Sequence, residues 1–330
     1  MYLTGGYGIV QVHPTRRCNL RCLHCYSNSG PTVTETMEYA TLCRVLEDAA
    51  GLGFKAVSIS GGEPILYRPL TALLAVARDL GLRTSVTTNG MALTRRRLGE
   101  LSGLLDILAI SLDGLPSTHA AIRRNRHAFD ILDVHMRTVH ESGIPFGFIS
   151  TLTMTNVGEL QFVVEYAREH GASFVQVHPL ELEGAAATHL RGEVPDSREL
   201  AFALLEGQRL AASTGLPVQM DISRRADLAA RPNDFYAGPI RPTAGVASWL
   251  SPVVVETDGS VTPLTYGFPR RYSLGFLSDA PLPTLAERWD PHDFLALCRD
   301  TVVRLAADNR AFFNWYEELA VTERLRCHRR

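Results

Sequence analysis

A single lysine, Lys55, serves the whole chain, and arginine supplies the remaining basic charge. Arginine does not give up its proton inside a protein, so amine-base or Schiff-base chemistry would fall on Lys55 alone. That residue sits between a helix end, GLGF, and a strand, the setting of an ordinary surface lysine. A basic excess is also lacking: 33 Lys and Arg against 35 Asp and Glu leave a net charge of −2, which argues against a nucleic-acid surface. No apolar run has spanning length, and no basic n-region precedes an apolar stretch. The opening MYLTGGYGIVQVHPT reads as a turn and then a strand. Membrane partners are therefore not expected. The expected location is the cytoplasm, where thiols stay reduced and clustered cysteines bind metal more often than they form disulfides.

What is present is an ordinary globular composition, 45% hydrophobic and 21% charged over 330 residues, enough for one large domain and a smaller one. Strand and helix patterns alternate. IVQVH, KAVSIS, RTSVTTNG, LDILAISLDG, PFGFISTLTMT and SFVQVHPLEL have the character of buried strands, and a helical period follows each. In the first helix the spacing puts Met37, Ala40, Cys43, Leu46 and Ala50 on one apolar face. A further short strand, PVQMDIS, closes the run. Six βα units imply a parallel sheet with right-handed crossovers. Six are too few for an eight-fold barrel, so the expected fold is α/β, a partial (β/α)6 TIM-like barrel, with ligands at the C-terminal strand ends. That core is assigned to residues 1–228. Pro- and Gly-rich residues 229–250 read as an irregular linker. Residues 251–330 read as a small α+β extension, opening with a hairpin turned at Asp258-Gly259 and continuing through TLAERW, HDFLALCRDTVVRLAAD and RAFFNWYEELAVTERL as helices.

Three of the six cysteines, Cys18, Cys22 and Cys25, fall within eight residues on the loop after the first strand. At spacings x3 and x2 they can converge on one metal centre. Four thiolates saturate a [4Fe–4S] cube, whereas three leave one iron open to a non-protein ligand, which a chemically active centre needs. From the loop alone a zinc site completed by His24 or a distant histidine stays open.

The rest of the chain narrows that choice. CNLRCLHC resembles the Cx3Cx2C motif of radical S-adenosylmethionine (SAM) enzymes. SGGEP (Ser60 to Pro64) resembles that family's GGE motif at the end of the second strand. TTNG and SLDG resemble it at the third and fourth strand ends, and HAAIRRNRHAFD resembles the segment that follows. The likeness runs from Ile9 to Leu180 with its motifs in order. It implies one [4Fe–4S] cluster on Cys18, Cys22 and Cys25, with SAM chelating the fourth iron. It further implies that Gly61, Gly62 and Glu63 hold the SAM amine, that Ser111 faces its carboxylate or ribose, and that Arg123 pairs with the carboxylate. Asn89 and Asp113 would line the ribose, backbone around Val177 and His178 would meet adenine, and His24 and Tyr26 would shield the cluster or touch adenine. The activity implied is reductive cleavage of SAM to a 5′-deoxyadenosyl radical that takes hydrogen from a peptide or small natural-product precursor. An electron donor such as a flavodoxin or ferredoxin is implied with it.

The last segment resembles the SPASM or twitch extension of such enzymes, but without its cluster cysteines. The hairpin pattern usually ends in Pro-Cys where this chain has Pro263-Leu264, and the cysteine usual shortly before the Ala-Gly at Ala244-Gly245 is missing. Cys43 and Cys298 fall on apolar helix faces and read as core, while Cys327 lies in a basic tail. Two further readings remain beside the enzyme that modifies a peptide or natural product. One is a radical SAM epimerase, rearrangement or cofactor-biosynthesis enzyme. The other is a non-catalytic protein that binds cluster and SAM.

Overall fold

The computed structural model describes residues 8–239 and 245–328. The turn expected before Gly8 and the position of Ala244 lie outside them. Strand β1 (Ile9–Val12) runs through the cysteine loop into α1 (Tyr39–Gly51). Next come β2 (Ala56–Ile59), α2 (Leu70–Asp79), β3 (Arg83–Thr88), α3 (Arg95–Leu101) and β4 (Ile107–Ser111). Helices α4 (Pro116–Ile122) and α5 (Ala128–Glu141) lead to β5 (Phe146–Leu152), α6 (Leu160–Glu169) and β6 (Val175–Pro179). A single turn α7 (Ala186–His189) and the long α8 (Ser197–Thr214) precede β7 (Val218–Met220). Beyond them lie β8 (Ser223–Arg224), α9 (Arg225–Ala230), β9 (Val253–Val255), β10 (Ser260–Pro263) and β11 (Gly275–Phe276). The last elements are α10 (Leu282–Arg288), α11 (His292–Ala306), β12 (Phe312–Phe313) and α12 (Trp315–His328).

Strands β1 to β7 are parallel and in sequence order, and the expected closing strand is β7. The sheet does not close. It has ten strands in the order β11-β10-β9-β1-β2-β3-β4-β5-β6-β7, with β9 parallel to β1 and β10 antiparallel to β9. The C-terminal hairpin thus extends the core sheet from its first strand. Two-residue β8 and β12 form a separate small sheet.

Burial alternates along the strands and shows which way each side chain points. Val57, Ile59, Val86, Leu108, Ile110, Phe148, Val175 and Val177 are buried in the hydrophobic cluster. The opposite parity holds Ser58, Ser85, Thr87, Thr151, Gln176 and His178, half-buried and mostly small or polar. The lumen is therefore polar and accessible, as a ligand site needs and a packed barrel core does not.

Two local expectations shift. The buried face of α1 is Leu42, Val45, Leu46 and Ala49, about one position round from the expected stripe. The large side chains take the core, and Cys43 is left half-buried. RAFFNWYEELAVTERL does not run as one helix. Phe312 and Phe313 pair with β8, and Asn314 then accepts from the Tyr316 N–H at 3.1 Å to start α12. Cys298 is fully buried, as expected, whereas Cys327 is exposed on α12. At Leu264, where the resemblance would put a cysteine, an apolar side chain packs into the core.

Candidate functional site

The cysteine loop leaves β1 at its C-terminal end and folds back on itself. The Cys18 N–H donates to the Gly30 carbonyl (3.2 Å), and the Gly30 N–H donates to the Arg16 carbonyl (3.3 Å). All three thiols are free, with Cys18 buried and Cys22 and Cys25 half-buried. Each has a donor beside its sulfur. Leu20 N and Asn89 Nδ2 stand 3.4 and 3.7 Å from Cys18 Sγ. Ser29 N stands 3.3 Å from Cys25 Sγ, and Arg123 Nη1 stands 3.9 Å from Cys22 Sγ. Such donors favour sulfur that carries negative charge. Burial pushes the metal-free Cys18 thiol up to about 12 and the Cys22 thiol up to about 11, so loading a metal centre here releases protons. Among the described residues, no three His, Cys, Asp or Glu side chains are grouped to hold a single metal ion.

The GGE segment is spliced to this loop. Gly62 N donates to Thr15 O (2.7 Å) and Glu63 N to Arg17 O (2.9 Å). A Cβ on Gly61 would stand 2.7 Å from Thr15 O, and one on Gly62 would stand 2.4 Å from Arg17 O. The two glycines are thus required by contact between backbones. Glu63 is fully buried. Its Oε1 accepts from Ile65 N (3.0 Å) and Thr88 Oγ1 (2.8 Å), and its Oε2 from Asn89 N (2.8 Å). A carboxylate offers about four acceptor sites, so three are filled and one remains. Asn89 turns toward the loop, donating from Nδ2 to Asn19 Oδ1 at 2.7 Å.

Asp113, just beyond β4, is the most heavily used anion of the site. It is fully buried and held by Arg123 through Nε (2.6 Å) and Nη2 (3.1 Å). His24 Nε2 lies 3.4 Å away and Thr151 N donates at 3.3 Å. Burial alone would raise this carboxyl, but Arg123 and His24 outweigh it and hold it well below the usual range. Its backbone is fixed too: the N–H donates to His119 Nδ1 (3.2 Å) and the carbonyl accepts from Asn156 Nδ2 (2.6 Å). Arg123 thus faces Asp113 and Cys22 at once. Ser111 is buried at the end of β4, level with Ile149 of β5.

Tyr26 follows the last cysteine. Its hydroxyl lies 3.0 Å from Ser60 Oγ, and its ring meets His13 (5.9 Å) and Tyr266 (5.4 Å between centroids). His13 and Tyr266 were invisible as site residues in the sequence. One is the last polar residue of IVQVH, and the other follows the hairpin. On the far side of the sheet Val177 points into the core, while His178 faces the lumen and is bonded through Nδ1 to Asp221 Oδ2. A cavity of about 110 Å³ opens beyond β6, lined by Glu181, Glu183, Tyr266, Tyr316, Glu317 and Arg324 among others. Burial and then the Glu317 and Asp221 charges raise Glu181 to about 7, against the opposing pull of His178.

His13 carries a pH prediction. Full burial lowers it from 6.5 to about 3. The unfolded chain takes up this proton below pH 6.5 and the folded one does not. The contribution is therefore complete above pH 6.5 and declines as pH falls toward 3, by about 1.4 kcal/mol per pH unit. Denaturant titrations of a His13→Gln variant between pH 7 and 4 are expected to lose about one proton's worth of that slope.

Fold and site together define a partial-barrel protein with a three-cysteine centre and a polar lumen. The chain matches the family model of the radical SAM superfamily over residues 12–167. Its cofactors are that family's, one [4Fe–4S] cluster and SAM. The donor-flanked thiols, the free acceptor site on Glu63 and the open lumen fit them. The chain is 28% identical over 219 residues to the Fe-coproporphyrin III synthase of Methanosarcina barkeri, covering 64% of this chain and 54% of that one. It is 26% identical over 295 residues to the pre-heme d1 synthase of Dinoroseobacter shibae (84% and 72%) and 28% identical over 258 residues to the PqqA peptide cyclase of Ruegeria pomeroyi (76% and 65%). It thus spans between about half and three quarters of these relatives' lengths. The SAM-bound structure of SuiB from Streptococcus suis shares the fold at TM-score 0.68 and 17% identity, over 86% of this chain and 66% of that one. No helix among the described residues is long and apolar enough to cross a membrane.

Proposed function

We propose that this chain reductively cleaves SAM and uses the resulting radical on a peptide or small natural-product precursor, in the cytoplasm. The observation that carries the reading is the join between the cysteine loop and GGE, where Gly62 N and Glu63 N donate to Thr15 O and Arg17 O, so that the loop bearing three free thiols is spliced to the segment bearing a buried carboxylate. When bound, the cluster and SAM supply the electron and the 5′-deoxyadenosyl radical. Cys18, Cys22 and Cys25 would hold the cluster. Gly61, Gly62 and the remaining acceptor site of Glu63 would take the SAM amine, and Ser111 would face its carboxylate. Arg123 sets a positive charge beside Cys22, and Asp113 fixes where that charge sits. Asn89 steadies the loop. Tyr26 would cover the adenosyl group from one side and the backbone at Val177 and His178 from the other. Residues 1–228 act as the SAM-binding core, 229–250 connect, and 251–330 form the extension that closes the mouth with Tyr266. The peptide side of the proposal draws on the likeness to the PqqA peptide cyclase.

The test is anaerobic reconstitution, then dithionite and SAM, with 5′-deoxyadenosine read by mass spectrometry. We expect product from the wild type and background from Cys22→Ala. A colourless protein without iron would overturn the reading in favour of zinc. A brown protein that binds SAM and makes no product under any reductant would leave a non-catalytic carrier. A second enzymatic reading, cofactor biosynthesis, is favoured by the likeness to two relatives named as synthases of Fe-coproporphyrin III and pre-heme d1. Porphyrin binding, seen as a shifted absorption band, would select it.

A further inference from the structure

We infer that the cavity beyond β6 seats the cationic end of the substrate, an ammonium or guanidinium group carried on a lysine or arginine side chain. This rests on the function proposed above and names the charge of the group that its substrate brings. The cavity, about 110 Å³, is bounded by three parts of the chain: the segment after β6 (Glu181 and Glu183), the turn after the hairpin (Tyr266), and α12 (Tyr316, Glu317 and Arg324). An apolar cavity of about 150 Å³ takes a whole benzene ring, so this one has room for the end of a side chain. Its place against the cysteine loop is fixed. The Ala185 N–H donates to the Cys25 carbonyl at 2.8 Å. A Cβ on Gly184, at φ 57°, would stand 2.3 Å from the Tyr26 carbonyl oxygen, so the chain next to Glu183 is held in backbone contact with that loop. On another wall the Tyr266 ring lies 5.4 Å from that of Tyr26. Whatever fills the cavity therefore lies among residues packed on the last cysteine and its neighbour.

Charge decides what the occupant is. Glu181, Glu183 and Glu317 bring carboxyls to the lining, and Arg324 is the one cation among its described residues. Arg324 is already bonded to Glu317 at 2.8 Å. Glu317 also accepts from the Leu182 N–H (3.1 Å), which ties α12 to the segment after β6. His178, whose charge reaches Glu181, is bonded to Asp221. Both cations at hand are thus taken, and Glu181 and Glu183 have no ion pair among the described residues. Exposed acids elsewhere also lack one, but water solvates them. These two are half-buried, where an uncompensated carboxylate is costly. Burial first, and then the Glu317 charge, raise both carboxyls, Glu181 to about 7 against the pull of His178. A bound cation relieves both. A metal ion does not answer, because no three acids among the described residues are grouped to hold one. Tyr266, Tyr316 and Phe268 add aromatic rings to the lining, which favour an organic cation. The same carboxyls repel a substrate group that is itself an anion.

The experiment uses reconstituted holoenzyme with SAM bound. Anaerobic calorimetric titration measures the affinity of four probes, the N-acetyl amides of lysine, arginine, norleucine and glutamate. The lysine or the arginine probe is expected to bind about tenfold or more tighter than norleucine, which keeps the alkyl chain without the charge, and glutamate more weakly than norleucine. The tighter of the two cationic probes assigns the group as ammonium or guanidinium. In E181Q/E183Q the preference over norleucine should shrink to about twofold or less, while norleucine binding and the 5′-deoxyadenosine formed without substrate stay within about twofold of wild type. Norleucine or glutamate binding as tightly as both cationic probes would overturn the site. So would a preference that E181Q/E183Q keeps, or one that about 0.3 M salt abolishes, since salt screens exposed charges far more than enclosed ones. If the double variant does not fold, the single E181Q and E183Q variants are read by the same criterion. Failure of the functional reading shows separately, as a protein that prefers the cationic probe yet yields no 5′-deoxyadenosine under any reductant.

Discussion

An Asp113→Asn variant is expected to lose about 3–5 kcal/mol of folding stability, the cost of leaving a buried cation without its partner. The Arg123 guanidinium gives two of its bonds to this one carboxylate and is itself buried. It cannot swing out to water without dragging the loop that follows α4. The measurement is the urea midpoint of the apo protein, taken with the Arg123→Met single variant and the double variant. Removing both charges should restore much of what either single change loses, with a coupling of about 2 kcal/mol or more. Additive losses would mean that the pair contributes nothing as a pair. Acid alone should not reproduce the effect above pH 4. A carboxyl held below its usual value contributes stability that is present above the unfolded value near 4 and is lost only as pH falls through the lower folded value. Acid sensitivity between pH 6.5 and 4 therefore points to the buried histidines, His13 and His119, rather than to Asp113.

Glu63→Leu should be the other severe change. It strips the acceptors from Ile65 N, Thr88 Oγ1 and Asn89 N in a place without solvent. Each orphaned donor costs about 1–3 kcal/mol, so a total of at least about 3 kcal/mol is expected. Glu63→Gln keeps one oxygen as an acceptor but sets an amide N–H against a backbone N–H, and should fall between wild type and Leu. If Glu63 also holds the SAM amine, both variants should give background 5′-deoxyadenosine even where a loaded cluster survives. A Gln variant that cleaves SAM at the wild-type rate would limit Glu63 to a structural role.

The parts of this molecule that local physics determines were legible before any coordinates. The βα alternation reads off because buried parallel strands are apolar runs and their helices are amphipathic. The Cys, GGE, TTNG and SLDG motifs sit where strands stop, and the barrel brings those ends together. Long-range pairing was not legible. VVV of β9 could have joined any apolar strand, and nothing in its side chains specifies β1 as its neighbour. For the same reason Tyr266 gave no sign that it would stand beside Tyr26. Nor could spacing tell that Arg123 would close on Asp113, ten residues before it, since a helix end and a turn lie between them. The two GGE glycines invited an explanation by ligand approach, whereas in the fold it is the loop's own carbonyls that forbid a side chain.

The hairpin on β1 has a consequence for the order in which the molecule can be made. Strand β9 is among the last strands synthesised, yet it lies inside the sheet, between β10 and β1. It pins the base of the cysteine loop: His13 N donates to Val255 O, and Thr257 Oγ1 donates to His13 O across 244 positions. On the ribosome the loop therefore waits through most of translation with one flank bare. Its cysteines emerge early and the flank that β9 covers is filled late, so the sheet around the loop can be completed only after residue 255 has been made.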